Sequence, residues 1–375
     1  MYRNTYALID TKKIYENVKC VVNNYHYDYY IGVVKNNAYN HGIETINAMI
    51  KGGINYLAVS SLDEALQIRK SYSKIPILVL EPIDLKYIDQ CDYYNITITV
   101  DNLKYVKELL EIKLNKGINI HLKVDSGMNR LGFNNATELK LSYELIKKKE
   151  KLNLEGIYSH FATSGLNDKY YNLQIATFKK ITNDIDLSKI PIVHLDRSIT
   201  LVNKEKISFS NACRFGMLMY GISGKKPTLG KKQKVKAFIK KILGKETKYP
   251  KELPLNTAFE LYTEVMSVRK VDSGKYIGYG TYKASEDLFI ATLPIGYADG
   301  VDLSFRYVWI NGNYCEILAE TMDMIMVRVS SKVKIGDKVE IIGKNIPFLK
   351  VCENTRLNSY HLFNKITSRV TRKYK

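Results

Sequence analysis

Lys35 closes a short apolar run, Tyr29-Tyr30-Ile31-Gly32-Val33-Val34, and Asn36-Asn37-Ala38-Tyr39-Asn40-His41-Gly42 follows it. A run of that length reads as a buried strand. A lysine at its mouth is costly to bury, so its place there needs a reason. One reason is covalent. An amine that loses part of its solvation gives up its proton more readily, and a neutral amine can form a Schiff base with a carbonyl. The plainer reading is a side chain that extends from the strand end into water.

Other chemically capable residues also follow apolar runs. Lys123 and Arg130 lie in His121-Leu122-Lys123-Val124-Asp125-Ser126-Gly127-Met128-Asn129-Arg130. His160 ends Tyr158-Ser159-His160, Ser198 ends His194-Leu195-Asp196-Arg197-Ser198, and Arg214 opens Arg214-Phe215-Gly216-Met217. The elements that must position them alternate. Apolar runs at 31–34, 56–59, 77–80, 96–99, 120–124, 154–158, 192–195 and 209–214 are separated by helical patterns at 43–51, 62–70, 103–114, 136–150 and 170–183. Eight strands with helical crossovers predict an α/β fold, a (β/α)8 TIM-like barrel over residues 11–222. Such barrels carry catalytic groups at the carboxyl ends of their strands, where these residues fall.

Beyond residue 222 the texture changes. Residues 223–254 are a lysine-rich insertion or linker, and 255–375 read as a mostly antiparallel β domain. Its runs are 259–270, 288–294, 307–310, 315–318, 325–329 and 338–342, and residues 1–10 are expected to lend it a strand.

Composition narrows the function. At 375 residues, 45% hydrophobic and 25% charged, the chain suits a two-domain globular protein. The net charge of +19 comes from lysines spread along the chain, without a nucleic-acid-binding motif, so no nucleic-acid partner is expected. Five scattered cysteines have no metal or redox spacing, and six histidines form no metal motif, so reduced thiols and no metal are expected. The first residues lack the apolar core of a signal peptide, and a cytoplasmic location is expected.

These segments, with Gly278-Tyr279-Gly280-Thr281-Tyr282, Ile295-Gly296-Tyr297-Ala298-Asp299-Gly300 and Thr321-Met322-Asp323, resemble the motifs of the alanine racemases from about Thr5 to Tyr374. The resemblance implies a fold-type III pyridoxal 5'-phosphate enzyme, paired head to tail as a homodimer with shared active sites. Its substrate would be a small amino acid, and its product would supply D-alanine for peptidoglycan. Lys35 resembles the lysine that holds the cofactor and serves as one base, and Tyr279 the opposite base, supplied by the partner subunit. Arg214 resembles the arginine facing the pyridine nitrogen. Tyr39, Ser198, Gly216, Met217 and Tyr360 resemble the phosphate cradle, and His160 a histidine near the ring. Arg130 and Met322 resemble substrate-carboxylate contacts, and Lys123 a lysine that is carboxylated in many members.

Three departures stand out. Asn36 and Asn40 replace small residues of the lysine motif, and at Asn40 asparagine tolerates left-handed geometry. Arg197 stands where the family generally has asparagine, which bears on the substrate. The rival readings are a racemase of serine or another amino acid, an amino-acid decarboxylase on a similar barrel, and a non-catalytic cofactor-binding barrel protein. The insertion has its own pattern. Val235, Phe238, Ile239, Ile242 and Leu243 follow helical spacing among eleven lysines between Lys225 and Lys251. Such a helix packs its apolar stripe on the protein, or lies on an anionic membrane surface through 225–252.

Overall fold

The computed structural model describes residues 3–163, 168–223, 252–280 and 282–375. Most of the basic insertion, and Thr281, lie outside the described residues. The chain divides into two units. One comprises Tyr15–Asn36 and Ile46–Leu255; the other comprises Met1–Ile14, Asn37–Thr45 and Asn256–Lys375.

β1 (Tyr6–Ile9) belongs to the second unit. The first unit is built on β2 (Tyr29–Val33), β3 (Tyr56–Val59), β4 (Ile77–Val79), β5 (Ile98–Val100), β6 (Ile118–Lys123), β7 (Leu152–Tyr158), β8 (Ile192–Arg197) and β9 (Ala212–Phe215). They pair in parallel in the order β4-β3-β2-β9-β8-β7-β6-β5. The two ends meet. Val79 N–H donates to Thr97 O at 3.0 Å and Thr97 N–H to Ile77 O at 2.9 Å, so the sheet closes into a barrel. All residues of β3, β4, β5 and β9 are buried, as expected where side chains fill the barrel on one face and helices cover the other. Several covering helices begin on a side-chain cap. Asn102 accepts from Tyr105 N–H, Asn135 from Glu138 N–H and Ser61 from Glu64 N–H. Each cap contributes about 1 kcal/mol.

The eighth sequence run, 209–214, is displaced. β9 begins only at Ala212, because Phe209 stacks on Phe178 of the helix Asp168–Ile181, with centroids 5.8 Å apart.

The second unit holds β10 (Phe259–Glu264), β11 (Ser267–Val271), β12 (Tyr276–Ile277), β13 (Tyr282–Lys283), β14 (Leu288–Leu293), β15 (Tyr307–Ile310), β16 (Asn313–Glu320), β17 (Ile325–Val329), β18 (Lys338–Ile342) and β19 (Thr371–Tyr374). Nine of its strands form one sheet, β11-β14-β17-β16-β15-β18-β10-β1-β19, antiparallel except for the β1–β19 pair. Tyr6–Ile9 pairs with Phe259–Tyr262, so the N-terminal strand does enter this sheet. The run 259–270, read as one strand, is two. Val265 N–H turns to Asp337 O and Met266 N–H to Thr292 O, which sends β10 and β11 to separate places in the sheet.

Candidate active site

The segment after β2 is unusual. Residues Lys35–Asn40 are helical, and Asn36, Asn37, Ala38, Tyr39 and Asn40 have φ of 49°, 51°, 55°, 49° and 67°. This is a left-handed turn. Each L-residue in that conformation costs roughly 1–2 kcal/mol, least for asparagine. The structure holds it from several sides. Asn36 N–H donates to Glu64 Oε1 at 2.5 Å. Asn40 Nδ2 donates to Phe363 O at 2.7 Å and also to Ile366 O. His41 is fully buried, with ring centroids 4.5 Å from Phe363 and 5.6 Å from Phe259. Burial pushes its pKa down to about 3, so the ring is neutral. Its Nδ1 lies 3.0 Å from Tyr39 O and 3.2 Å from Ala38 O, so the proton sits there as a donor to the strained turn. Backbone strain so heavily supported points to function, and Lys35 opens the segment.

At the barrel rim the structure brings four of the sequence-identified residues together, Lys123, Arg130, His160 and Arg214. Lys123, Asp125, Arg130, Ser159 and His160 line a small cavity. Lys123 is buried, and its Nζ donates to Leu80 O at 3.2 Å. Burial, then the charges of Arg130 and Arg214, push its pKa down to about 8. Asp125 accepts the backbone N–H groups of Gly127, Asn129 and Arg130 at 2.9, 3.0 and 3.0 Å, which shapes the loop presenting Arg130. Sequence reading gave Asp125 no role, though an aspartate before Ser-Gly is a turn signal.

Arg214 is buried at the end of β9. Nη1 donates to His194 Nδ1 at 2.5 Å and His194 O at 2.7 Å. Nη2 donates to Ser159 O at 2.6 Å and Leu195 O at 3.2 Å, and lies 3.4 Å from His160 Nδ1. Burial lowers its pKa to about 10, and it stays charged at neutral pH. Among the described residues no carboxylate bonds it, and its Nε–H has no partner. Burial and the charges of Arg214, Arg197, Arg130 and Lys123 push His160 well below the usual histidine range, leaving a neutral ring. Ser198 Oγ accepts Gly216 N–H at 3.0 Å, and Met217 follows in a buried short helix. Arg197 ends β8 beside Arg214, with its N–H on Thr200 Oγ1 at 2.8 Å.

Four predicted residues belong to the second unit. Tyr39 is buried, and its ring meets Tyr360 edge-on at 5.6 Å. Tyr279 sits in the turn between β12 and β13, 78% exposed, flanked by Gly278 (φ 66°) and Gly280 (φ 83°). Met322 is exposed; its carbonyl accepts Ala298 N–H at 3.0 Å, while its own N–H has no partner among the described residues.

A closed parallel barrel with a lysine and an arginine at its strand ends thus stands in one chain with an antiparallel β domain. Comparison with known proteins shows which family has this arrangement. The model of the alanine racemase N-terminal domain matches residues 9–224, and that of the C-terminal domain matches residues 258–374. The alanine racemase of Streptococcus pneumoniae serotype 19F (strain G54) is 32% identical over 357 residues, 92% of this chain and 90% of that protein. The crystal structure of alanine racemase from E. faecalis superposes with a TM-score of 0.88 at 30% identity, over 100% of this chain and 99% of the other. A histidine racemase from Leuconostoc mesenteroides subsp. sake NBRC 102480 gives 0.85 at 25% identity, over 100% and 98%. The chain belongs to the alanine racemase family.

The family implies pyridoxal phosphate, and the residues present suit it. Lys35 offers an amine, Ser198 a hydroxyl, and Arg214 an Nε–H without a hydrogen bond among the described residues, a donor that fits a ring nitrogen.

Proposed function

We propose that this protein interconverts L- and D-alanine with two bases, Lys35 and Tyr279, acting on opposite faces of the α-carbon. The observation that carries the reading is the setting of Arg214, which is buried, held by neutral acceptors and free of any carboxylate bond among the described residues. Bound pyridoxal phosphate supplies the electron sink that makes the α-hydrogen acidic. Arg214, a donor that keeps its proton, would leave the pyridine nitrogen an acceptor and so make that sink a weak one. That favours prompt return of the proton over side reactions. A racemase needs a proton donor on each face. The Lys35 amine holds or takes the proton on one face, and the Tyr279 phenol on the other.

Tyr279 is exposed on a turn, which supports its service to a second copy of the chain in a homodimer. Arg130 and the Met322 N–H would bind the substrate carboxylate. Tyr39, Tyr360, Ser198, Gly216 and Met217 would hold the phosphate. Carboxylation of Lys123 would turn its repulsion of Arg130 into attraction, and an amine with pKa about 8 is partly neutral, as that modification requires. We place the protein in the cytoplasm, supplying D-alanine for peptidoglycan.

A second reading keeps the chemistry and changes the side chain. The family's contacts grip the α-amino acid core, the similar structure from Leuconostoc is a histidine racemase, and Arg197 adds a cation beside Arg214. Incubation with a panel of L-amino acids, followed by assay of each D-enantiomer, separates the readings. Preferred turnover of alanine supports the first, preferred turnover of serine or histidine the second, and no turnover of any amino acid leaves a cofactor-binding protein without racemase activity.

A further inference from the structure

Inside the barrel, behind Arg214, lies a line of polar groups that the proposed reaction does not use. Arg214 Nη1 is 2.5 Å from His194 Nδ1. His194 Nε2 is 2.8 Å from His121 Nδ1. His121 Nε2 is 3.1 Å from Glu155 Oε2. Both imidazoles are fully buried, and His194 stacks on Tyr158 at 4.6 Å.

The direction of this line is forced. A guanidinium has donors only, so His194 Nδ1 must be bare. Burial and the charge of Arg214 keep His194 neutral, which puts its proton on Nε2. That N–H points at His121 Nδ1, which must therefore accept. Burial depresses the His121 pKa more than Glu155 raises it, so this ring is neutral too, with its proton on Nε2 toward Glu155. Burial alone would raise the Glu155 carboxyl, but hydrogen bonds from His121, Tyr56 and Thr97 outweigh it and keep it ionised. Tyr56 Oη is 2.6 Å and Thr97 Oγ1 3.2 Å from Oε2, and Asn119 Nδ2 donates to Oε1 at 3.3 Å.

We infer that Glu155, acting through His121 and His194, is a positioning residue that fixes the tautomers of both rings and so sets the orientation of Arg214. The line behaves as a unit. If His121 presented N–H at Nδ1 it would meet the Nε2–H of His194; His194 would then reverse and turn an N–H toward Arg214. The guanidinium would have to move away from its place at the ring site. The consequence for catalysis rests on the racemase reading, whereas the tautomers do not.

Ring-¹⁵N-histidine-labelled holoenzyme tests this by NMR, with each ring assigned by difference from single-histidine variants. His121 and His194 are expected to show bare Nδ1 and protonated Nε2, unchanged from about pH 6 to about pH 9, because neither titrates in the usual histidine range. Glu155→Leu is expected to mix or reverse the tautomers and lower kcat roughly tenfold or more, with KM within about twofold, the scale of losing an orienting partner behind a contact residue. Glu155→Gln keeps an acceptor oxygen and is expected to restore the tautomers and most of kcat. A protonated Nδ1 on either ring of the wild-type protein overturns the inference even if Glu155→Leu fails to fold. Unchanged tautomers and kcat in Glu155→Leu do so as well. Tautomers as expected, with no racemisation of any amino acid, would remove the racemase reading and leave the positioning line standing.

Discussion

Two turns carry the proposed bases, and they are built in opposite ways. Lys35 opens a left-handed turn made without glycine, supported by Glu64, by a buried histidine and by side-chain bonds from Asn40. Tyr279 rides a turn that reaches positive φ through Gly278 and Gly280, and its side chain is 78% exposed. An alanine Cβ at Gly280 would meet nothing within 4 Å. The first turn is over-determined by its own chain. The second is conformationally inexpensive and left open on one side. On the proposed reading, one base would be prepared during folding, and the other would acquire its surroundings from a second copy of the chain.

The largest expected effect follows from that contrast. Lys35→Ala and Tyr279→Phe should each lower racemisation by about 10²–10⁴-fold, the scale of a lost general acid–base group. Tyr279→Phe should also leave unfolding stability within about 0.5 kcal/mol, since an exposed side chain has little to lose. Mixing the two inactive proteins should restore part of the activity, because one site of each mixed dimer keeps both bases. Proven subunit exchange without recovered activity would break the comparison, since Tyr279 would then not act in trans.

The next largest effect is a pH dependence of stability. The His41 pKa falls from its ordinary value of 6.5 to about 3 on folding. Between those values the unfolded chain binds more protons, so stability rises with pH there. It is complete above about pH 6.5 and is lost as pH falls toward 3, by several kcal/mol. Urea midpoints measured across that range should fall toward acid in the wild-type protein and much less in His41→Asn. Equal slopes would show that the left-handed turn does not depend on the neutral ring.

Gly280→Ala should cost about 1 kcal/mol, the strain of an L-residue at positive φ with no clash to add. A loss of several kcal/mol in thermal or urea unfolding would mean that this turn is as constrained as the first. The smallest effect concerns the basic segment. Deleting residues 225–252 should leave racemisation nearly unchanged, and liposome co-sedimentation reads its other property. Salt-sensitive binding to anionic vesicles that disappears on deletion would assign it to the membrane surface; equal binding by both proteins would exclude that role. Among the described residues no helix is long and apolar enough to cross a membrane.

The barrel was legible because strands such as β3, β4 and β5 are buried on both faces and read as short, largely apolar runs. The run at 209–214 misled by mixing a strand with Phe209, whose apolar partner is the helix residue Phe178. The β domain was legible in class and less so in detail. β12 and β13 have two residues each, too few to show alternation, so the hairpin carrying Tyr279 appeared only as a motif. At the site, Asn40 carried a local signal of left-handed backbone, and the structure places it there, with Asn36 to Tyr39 in the same conformation. The line from Arg214 to Glu155 carried none. Its members come from four strands, His121 and His194 are 73 residues apart, and a histidine in an apolar strand looks the same whether it relays a hydrogen bond or merely fills space.

The pairing of β1 with both β10 and β19 has a consequence for synthesis. Tyr6–Ile9 leaves the ribosome well before its parallel neighbour Thr371–Tyr374. At translation rates of about 5–20 residues per second, the first strand waits roughly 20–70 s for that neighbour. All eight barrel strands emerge in the interval. Until then Ala7 and Ile9, fully buried in the finished protein, belong to an unpaired strand edge, the kind of surface that recruits other chains. The β domain therefore stays incomplete until synthesis has passed Tyr374, and a chain that stops short of Thr371 lacks the strand that covers β1.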